Sequence, residues 1–494
     1  NDRHDLSVMV GTSHESENYD RFTAKRINFD QQENMSLQLG SAQDQNAWSE
    51  GNQWTINSFF SRVNYTFANK YVIEGTIRAD GSSRFDPDHR WGWFPGVNAA
   101  WRVGEEGFMK RLGWFEDLKV RASYGEMGNQ SGIGLYDYIQ LISLSNDYYP
   151  FGAGMKGQMA TSGNIISTSR TWETIQTTNV GFDFSTLNNR LYGSFDYFWK
   201  ENKNMLIPKT YPSMLGADAP STNSGHLSIH GWEISLGWRD QIKDFSYSVR
   251  FNISDAKNKV VDRVGSNLIK LGNNETPTGY PLNSYFGYEF DGIIQNEQEL
   301  EAYKSRFSEG GIPGDLSVGD AMYKDLDGDG KLSVLGDGKE GSGDVKYLGD
   351  KNPRYNFGFN LSMAWKGFDL SAFIQGVGRR TMFLEGESRC PMPEAWYQSA
   401  EYWYGKTWTP ERTDAQYPAI TLKDKRNYNY YVSTNTKFNV AYARLKNLQF
   451  GYTIPQTLTS KAGLQKVRVY FSGEDLFEVH NTPNGWEKEE NSGS

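Results

Sequence analysis

Three observations predict an all-β chain built as a transmembrane antiparallel β-barrel. The first is strict alternation. Tyr355, Phe357, Phe359, Leu361, Met363 and Trp365 share one parity, and Asn356, Gly358, Asn360, Ser362, Ala364 and Lys366 the other. A period of two over that length gives a β-strand with one apolar and one polar face. The second is the sorting of connections. Short turns follow Phe67, Phe184 and Trp238 and occupy Lys366-Gly367, whereas long loops follow Val10, Tyr124, Trp199, Ser254 and Gly376; only the 80–94 connection is intermediate. Strands that cross a membrane repeatedly alternate tight turns on one side with long loops on the other, and a soluble sandwich has no reason to. The third is composition. The 494 residues are 15% aromatic and include 51 Gly, yet their mean hydropathy is polar. No run approaches the ~18 apolar residues of a membrane helix. A polar average with many aromatics suits strands in which only alternate residues meet lipid.

Taken in order, Leu6, Val8 and Val10 open the chain as a strand, and 14–52 is expected to be a polar loop. Phe59 to Phe67 and Tyr71 to Ala79 form a hairpin turned at Asn69-Lys70. Strands follow at Val97–Val103 and Leu118–Tyr124, then a long loop over 126–172. Val180–Phe184 and Leu191–Trp199 flank an Asn188-Asn189 turn, and Trp232–Trp238 and Phe245–Ile253 flank another. Residues 255–352 form a long excursion with a short helix near 297–306. The opening hairpin comes next, then an aromatic loop over 377–437, and strands near 440–454 and 466–473. This makes about thirteen strands, an odd number, whereas bacterial barrels close on even ones. The chain begins without Met, signal peptide or lipidation site, and is expected to be an internal or C-terminal piece of a longer protein.

The net charge of −9 without a basic block argues against nucleic acid as a partner. The single Cys390 excludes an internal disulfide. Catalytic constellations are lacking: there is no Gly-x-Ser-x-Gly or phosphate loop, His226 and His230 fall in a stretch expected to be loop and have no third ligand, and Glu105-Glu106 reads as a solvent-facing turn. One acidic loop stands out. Asp325, Asp327, Asp329 and Gly330 match the first half of an EF-hand, with the Lys331 carbonyl at position 7. Position 12 is Gly336 rather than Glu, and Asp337 or Asp344 can substitute in a distorted loop. The expectation is a structural Ca²⁺ that stiffens an extracellular loop, with no organic cofactor; the competing reading is a solvated acidic turn.

Several stretches resemble the SusC-like TonB-dependent transporters of the Bacteroidetes outer membrane. They are 59–85 with 91–110, 118–130, the YKDLDGDGKL run at 323–332 with 348–376, and ARLKNLQFGYTIP with VRVYFSGEDLF near the end. The resemblance implies a plugged barrel of ~22 strands, of which this chain carries only part. The signal sequence, plug, first strands and last strand of that architecture are not found in it. It also implies active import of an oligosaccharide or peptide, powered by TonB–ExbB–ExbD through the N-terminal part and capped by a SusD-like surface lipoprotein, in a dimer of transporter–lipoprotein pairs. In such an architecture, loop aromatics such as Trp396, Tyr397, Tyr402, Trp403, Tyr404 and Trp408 touch substrate or lid; the competing readings are that they pack the loop's own small core or belong to the interfacial aromatic girdle. Arg62, Arg78, Arg102, Arg121 and Arg250, all at polar positions, would face the lumen, there either to contact the plug or to line a solvated channel wall. The alternatives from other classes are a Ca²⁺-dependent all-β surface glycan-binding adhesin and a secreted glycosidase.

Overall fold

The computed structural model describes every residue except 1–2, 30–34, 44, 151–155, 163–164, 209–220, 264–271, 273–276, 336–342, 393–397, 422–423 and 484–494. Thirteen strands form one sheet, each bonded to the next in chain order. They are His4–Lys25, Asn46–Phe67, Tyr71–Ser82, Trp91–Arg102, Asp117–Asn129, Glu173–Thr186, Leu191–Pro208, Ser221–Ile242, Phe245–Asp262, Arg354–Trp365, Phe368–Arg379, Tyr442–Ile454 and Val467–His480. Among the described residues no ladder pairs the first of these strands with the last. No helix among the described residues is long and apolar enough to cross a membrane.

The hairpin turns have the backbone that strand twist requires. Ala68 and Asn69 have φ of 52° and 58°, and Lys366 and Gly367 of 45° and 91°. Consecutive positive φ values give the primed turn that matches the right-handed twist of its flanking strands. The left-handed pair is therefore Ala68-Asn69, one residue earlier than the expected Asn69-Lys70.

The alternation is realised as two unlike faces. Val10 is 79% exposed, Leu6 63% and Val469 64%, and Phe59, Ile73, Ile77, Trp365, Phe368 and Phe471 are also exposed. An apolar face left uncovered along so many strands is unsuited to water and suited to lipid.

Two compact units can be distinguished along the chain. One comprises residues 1–99, 123–178 and 201–226. In it, His4–Lys25 and Asn46–Phe67 pair without interruption from His4↔Phe67 to Lys25↔Asn46. About half of the expected 14–52 loop is thus strand, and 26–45 connects the two. Beyond the lipid band no apolar face is needed, so the pattern fades while the ladder continues. The 126–172 stretch likewise holds a hairpin of Ile142–Pro150 and Lys156–Ser162. Phe85, Phe94, Ile133 and Trp172 form a small core, and Trp172 Nε1 donates to the Arg90 carbonyl at 2.8 Å.

The other unit comprises 100–122, 179–200 and 227–494. It contains the excursion and the aromatic loop, which fold together. The helix Glu297–Lys304, capped by the Asn296 side chain on the Glu299 amide, packs Leu300 and Tyr303 inward. These join Tyr288, Ile294, Leu316, Ala321, Tyr323 and Tyr428 in one buried cluster. Leu384, Cys390, Trp403, Tyr417 and Tyr430 make a second. The Ser221–Ile242 strand corrects another expectation: His226 and His230 lie on it, not in a loop. His226 Nε2 meets Glu201 Oε2 at 2.6 Å.

Candidate functional site

The acidic loop is built by its own side chains. The Asp325 carboxylate accepts from the Gly328 amide at 2.7 Å and the Gly330 amide at 2.9 Å. Both glycines have φ near 75°, a region that costs an L side chain strain. Asp327 accepts from the Asp329 amide at 3.2 Å, and Asp329 from the Lys331 amide at 2.7 Å. Asp344, fully buried, accepts from the Leu326 amide at 2.6 Å and the Ser333 amide at 2.8 Å.

This arrangement brings carboxylate oxygens of Asp325, Asp327 and Asp344 within 4.8 Å of one another. Asp344 stands where the sequence offered two substitutes for the missing Glu. Asp337, the other, and Gly336 lie outside the described residues. Asp329 does not join the cluster; its side chain turns back on the Lys331 amide instead. Burial pushes the Asp344 carboxyl above its ordinary value, against the pull of its two amide donors, and the charges of Asp327 and Asp325 push it the same way. Asp327 is raised too, by desolvation first. Three converging carboxylates, two of them held above their ordinary values, are a donor set that a hard divalent cation would relieve.

Around this loop, Lys324 and Lys346 both donate to Glu289, holding its carboxyl down to about 2. The aromatic residues divide by exposure. Trp403 is 3% exposed and meets Tyr417 and Tyr430 edge-on, with centroids 4.9 and 5.6 Å apart. Trp408 is also buried; its Nε1 donates to Gln295 at 3.0 Å, and it lies against Gly319, where φ is 96°. These two therefore pack the module and offer no face to a ligand, which corrects their assignment as substrate or lid contacts. Tyr402 is half-buried, bonded to Tyr417 at 2.6 Å, with the Lys406 ammonium 3.5 Å over its ring. Tyr404 is 89% exposed. Trp396 and Tyr397 lie outside the described residues.

The five arginines have partners on their own wall. Arg62 stands 3.7 Å from Glu74. Arg78 binds Asp80 and Ser58, each at 2.8 Å. Arg121 reaches Asp196 at 2.6 Å and Asp183 at 3.2 Å, and Lys119 also meets Asp183. Arg250 lies 3.3 Å from the Ser235 hydroxyl. Arg102 stands at a strand end, 3.6 Å from Glu105 of the following turn. Sequence reasoning missed the partner carboxylates. The available signal was an acid between aromatics, as in Phe182-Asp183-Phe184 and Phe195-Asp196-Tyr197, at a position of the polar parity.

A polar face crossed by ion pairs behind an uncovered apolar face defines an outer-membrane barrel wall. Residues 1–476 match the family described as TonB dependent receptor-like, beta-barrel, and the chain belongs to that family. It is 31% identical over 497 residues to TonB-dependent receptor P3 of Formosa agariphila, covering 97% of this chain and 47% of that protein. It is 27% identical over 440 residues to TonB-dependent receptor SusC of Bacteroides thetaiotaomicron, covering 83% and 39%. Its fold is similar to that of a solved RagAB peptide transporter, with a TM-score of 0.79 at 22% identity, over 98% of this chain and 50% of that one. The chain is thus SusC-like, and it spans about half the length of the relatives it matches.

Proposed function

We propose that this chain is the greater part of the barrel wall of a TonB-dependent importer in the outer membrane. The observation that carries the reading is the division of one thirteen-stranded sheet into an uncovered apolar face and an ion-paired polar face. Membership of the TonB-dependent receptor family supports it. The wall surrounds the path, and the folded loops above it grip an oligosaccharide or peptide. A SusD-like lipoprotein caps them, and energy arrives from TonB–ExbB–ExbD through the N-terminal part of the whole protein. The wall binds and moves its cargo without catalysing a reaction. Asp325, Asp327 and Asp344 hold a structural Ca²⁺ that fixes the acidic loop.

The test is a gentle detergent extraction of the full-length protein from its native outer membrane, with co-purifying proteins identified by mass spectrometry. A stoichiometric lipoprotein supports the importer. Recovery in the soluble fraction without detergent would replace it with the adhesin.

A further inference from the structure

A cavity of about 420 Å³ lies at the loop-side ends of three successive strands, Phe245–Asp262, Arg354–Trp365 and Phe368–Arg379. The short Lys366-Gly367 turn is at the opposite end of the last two, so the cavity is on the long-loop side. Its described charged walls are Lys257, Lys259, Arg354, Arg379, Arg380 and Asp350.

The strand ladder itself creates the charge. Arg354 stands directly opposite Arg379, and the next pair, Asn356↔Val377, keeps the same register; Tyr355, whose φ is 56°, lies between them. Like charges directly across a ladder repel. Only one of the two guanidiniums is answered by a carboxylate among the described residues: Arg354 grips Asp255 through both prongs, one at 2.5 Å. Asp350 is already used, accepting from the Tyr347 hydroxyl at 2.7 Å and the Asn352 amide at 3.1 Å. Arg380 donates to the Lys351 carbonyl. Among the described residues, then, the cavity is lined by five cationic side chains and one carboxylate, Asp350, which already accepts two hydrogen bonds. The field reaches the loop beyond: Lys437 is held below the ordinary lysine value, first by desolvation and then by the charges of Arg379 and Lys346.

We infer that this cavity is an anion subsite, which takes a carboxylate or sulfate group carried by a unit of the imported chain. The inference rests on the importer reading and narrows its cargo to acidic oligomers. The volume suits one or two such units, at the small end of ligand cavities. Lysines and arginines on a recessed wall bind anions by charge-assisted hydrogen bonds, stronger there than on an open surface.

The test uses the full-length transporter in detergent and isothermal titration with four probes: oligogalacturonate, a neutral galactose oligomer of equal length, oligoglutamate and oligoglutamine. The variants are Lys259→Gln/Arg379→Gln and, at the short-turn end, Lys461→Gln/Lys466→Gln. Lys259 and Arg379 are exposed side chains, so neutralising them leaves the fold intact. The expected result is tighter binding of an acidic probe than of its neutral counterpart. The cavity variant should lose about tenfold or more of that affinity, the size of a charged hydrogen bond, while the control variant keeps it. Preference for oligogalacturonate over oligoglutamate, or the reverse, assigns the acidic group to a glycan or a peptide. Equal binding of acidic and neutral probes, no binding of any, or a loss shared equally by both variants overturns the subsite. Co-purification of a lipoprotein with charge-blind binding would remove only the subsite. Charge-selective binding without outer-membrane residence would remove only the importer.

Discussion

Tyr303 and Tyr428 bring their hydroxyls to 2.7 Å from each other in a fully buried setting, although 125 positions separate them in the chain. Tyr303 belongs to the helix of the excursion and Tyr428 to the aromatic loop, so this contact fastens the two loops into one body. Tyr303 also receives the Tyr323 amide at 2.9 Å, and Tyr323 meets Tyr428 edge-on with centroids 5.3 Å apart. Tyr428→Phe should cost about 1 kcal/mol, since Tyr303 keeps its other partner. Tyr428→Ala should cost about 3 kcal/mol or more and open both loops to protease together. Cleavage confined to the aromatic loop would show that the two fold independently.

If the acidic loop holds the proposed Ca²⁺, a chelator should loosen it. Asp327→Ala is expected to speed proteolysis between residues 315 and 350 while the barrel retains its heat-resistant mobility on gels. Proteolysis indifferent to chelator in the wild type would exclude a bound Ca²⁺.

The same carboxylates set a pH dependence. Asp344 and Asp327 titrate above their ordinary values. A carboxyl raised by folding contributes stability that is complete at low pH and is lost as pH rises through the folded value. In chelator, then, the loop should become more protease-sensitive as pH rises out of the carboxylate range. Added Ca²⁺ should reverse that trend, because the metal displaces the protons. Asp344→Asn should flatten the chelator profile.

The lipid face can be tested by parity. Val63 is exposed on the apolar side of its strand, and Asn64 follows on the polar side. Val63→Arg should destabilise by about 2–4 kcal/mol if it lies near the bilayer midplane, and Asn64→Arg by about 1 kcal/mol or less. Comparable assembly yields for the two would contradict the assignment of faces.

On the polar face, Arg121→Met leaves Asp183 and Asp196 facing each other without their shared cation. In a partly wet lumen this should cost about 1–2 kcal/mol, measurable as a lower urea midpoint. Adding Asp196→Asn should recover part of it, since Asp183 keeps Lys119 as its partner at 2.8 Å while Asp196 is left without one among the described residues.

The wall was legible in the sequence because lipid enforces alternation: from Phe59 to Phe67 and from Tyr355 to Trp365 each second residue meets hydrocarbon. Legibility ended where lipid ends. Residues 14–25 and 46–58 continue the ladder with polar residues on both faces, a pattern that reads as loop. The carboxylate cluster was half legible. Asp325 and Asp327 lie two apart, whereas Asp344 reaches them only through the fold of the loop. The fate of Trp403 and Trp408 was hidden for a related reason: a Trp that packs a loop core and a Trp that grips a ligand have the same composition, and only burial separates them.

The first two strands hold 22 residues each, about 70 Å of ladder at ~3.3 Å per residue. A tilted strand crosses hydrocarbon in about 9–11 residues. Roughly half of each strand therefore rises clear of the bilayer as a mast. At the same tilt of about 45° that half rises roughly 28 Å, so a protein anchored beside it by acyl tails must spend about eight extended residues of tether climbing to the rim. Tether length, more than contact area, then decides which neighbours can reach the opening at all.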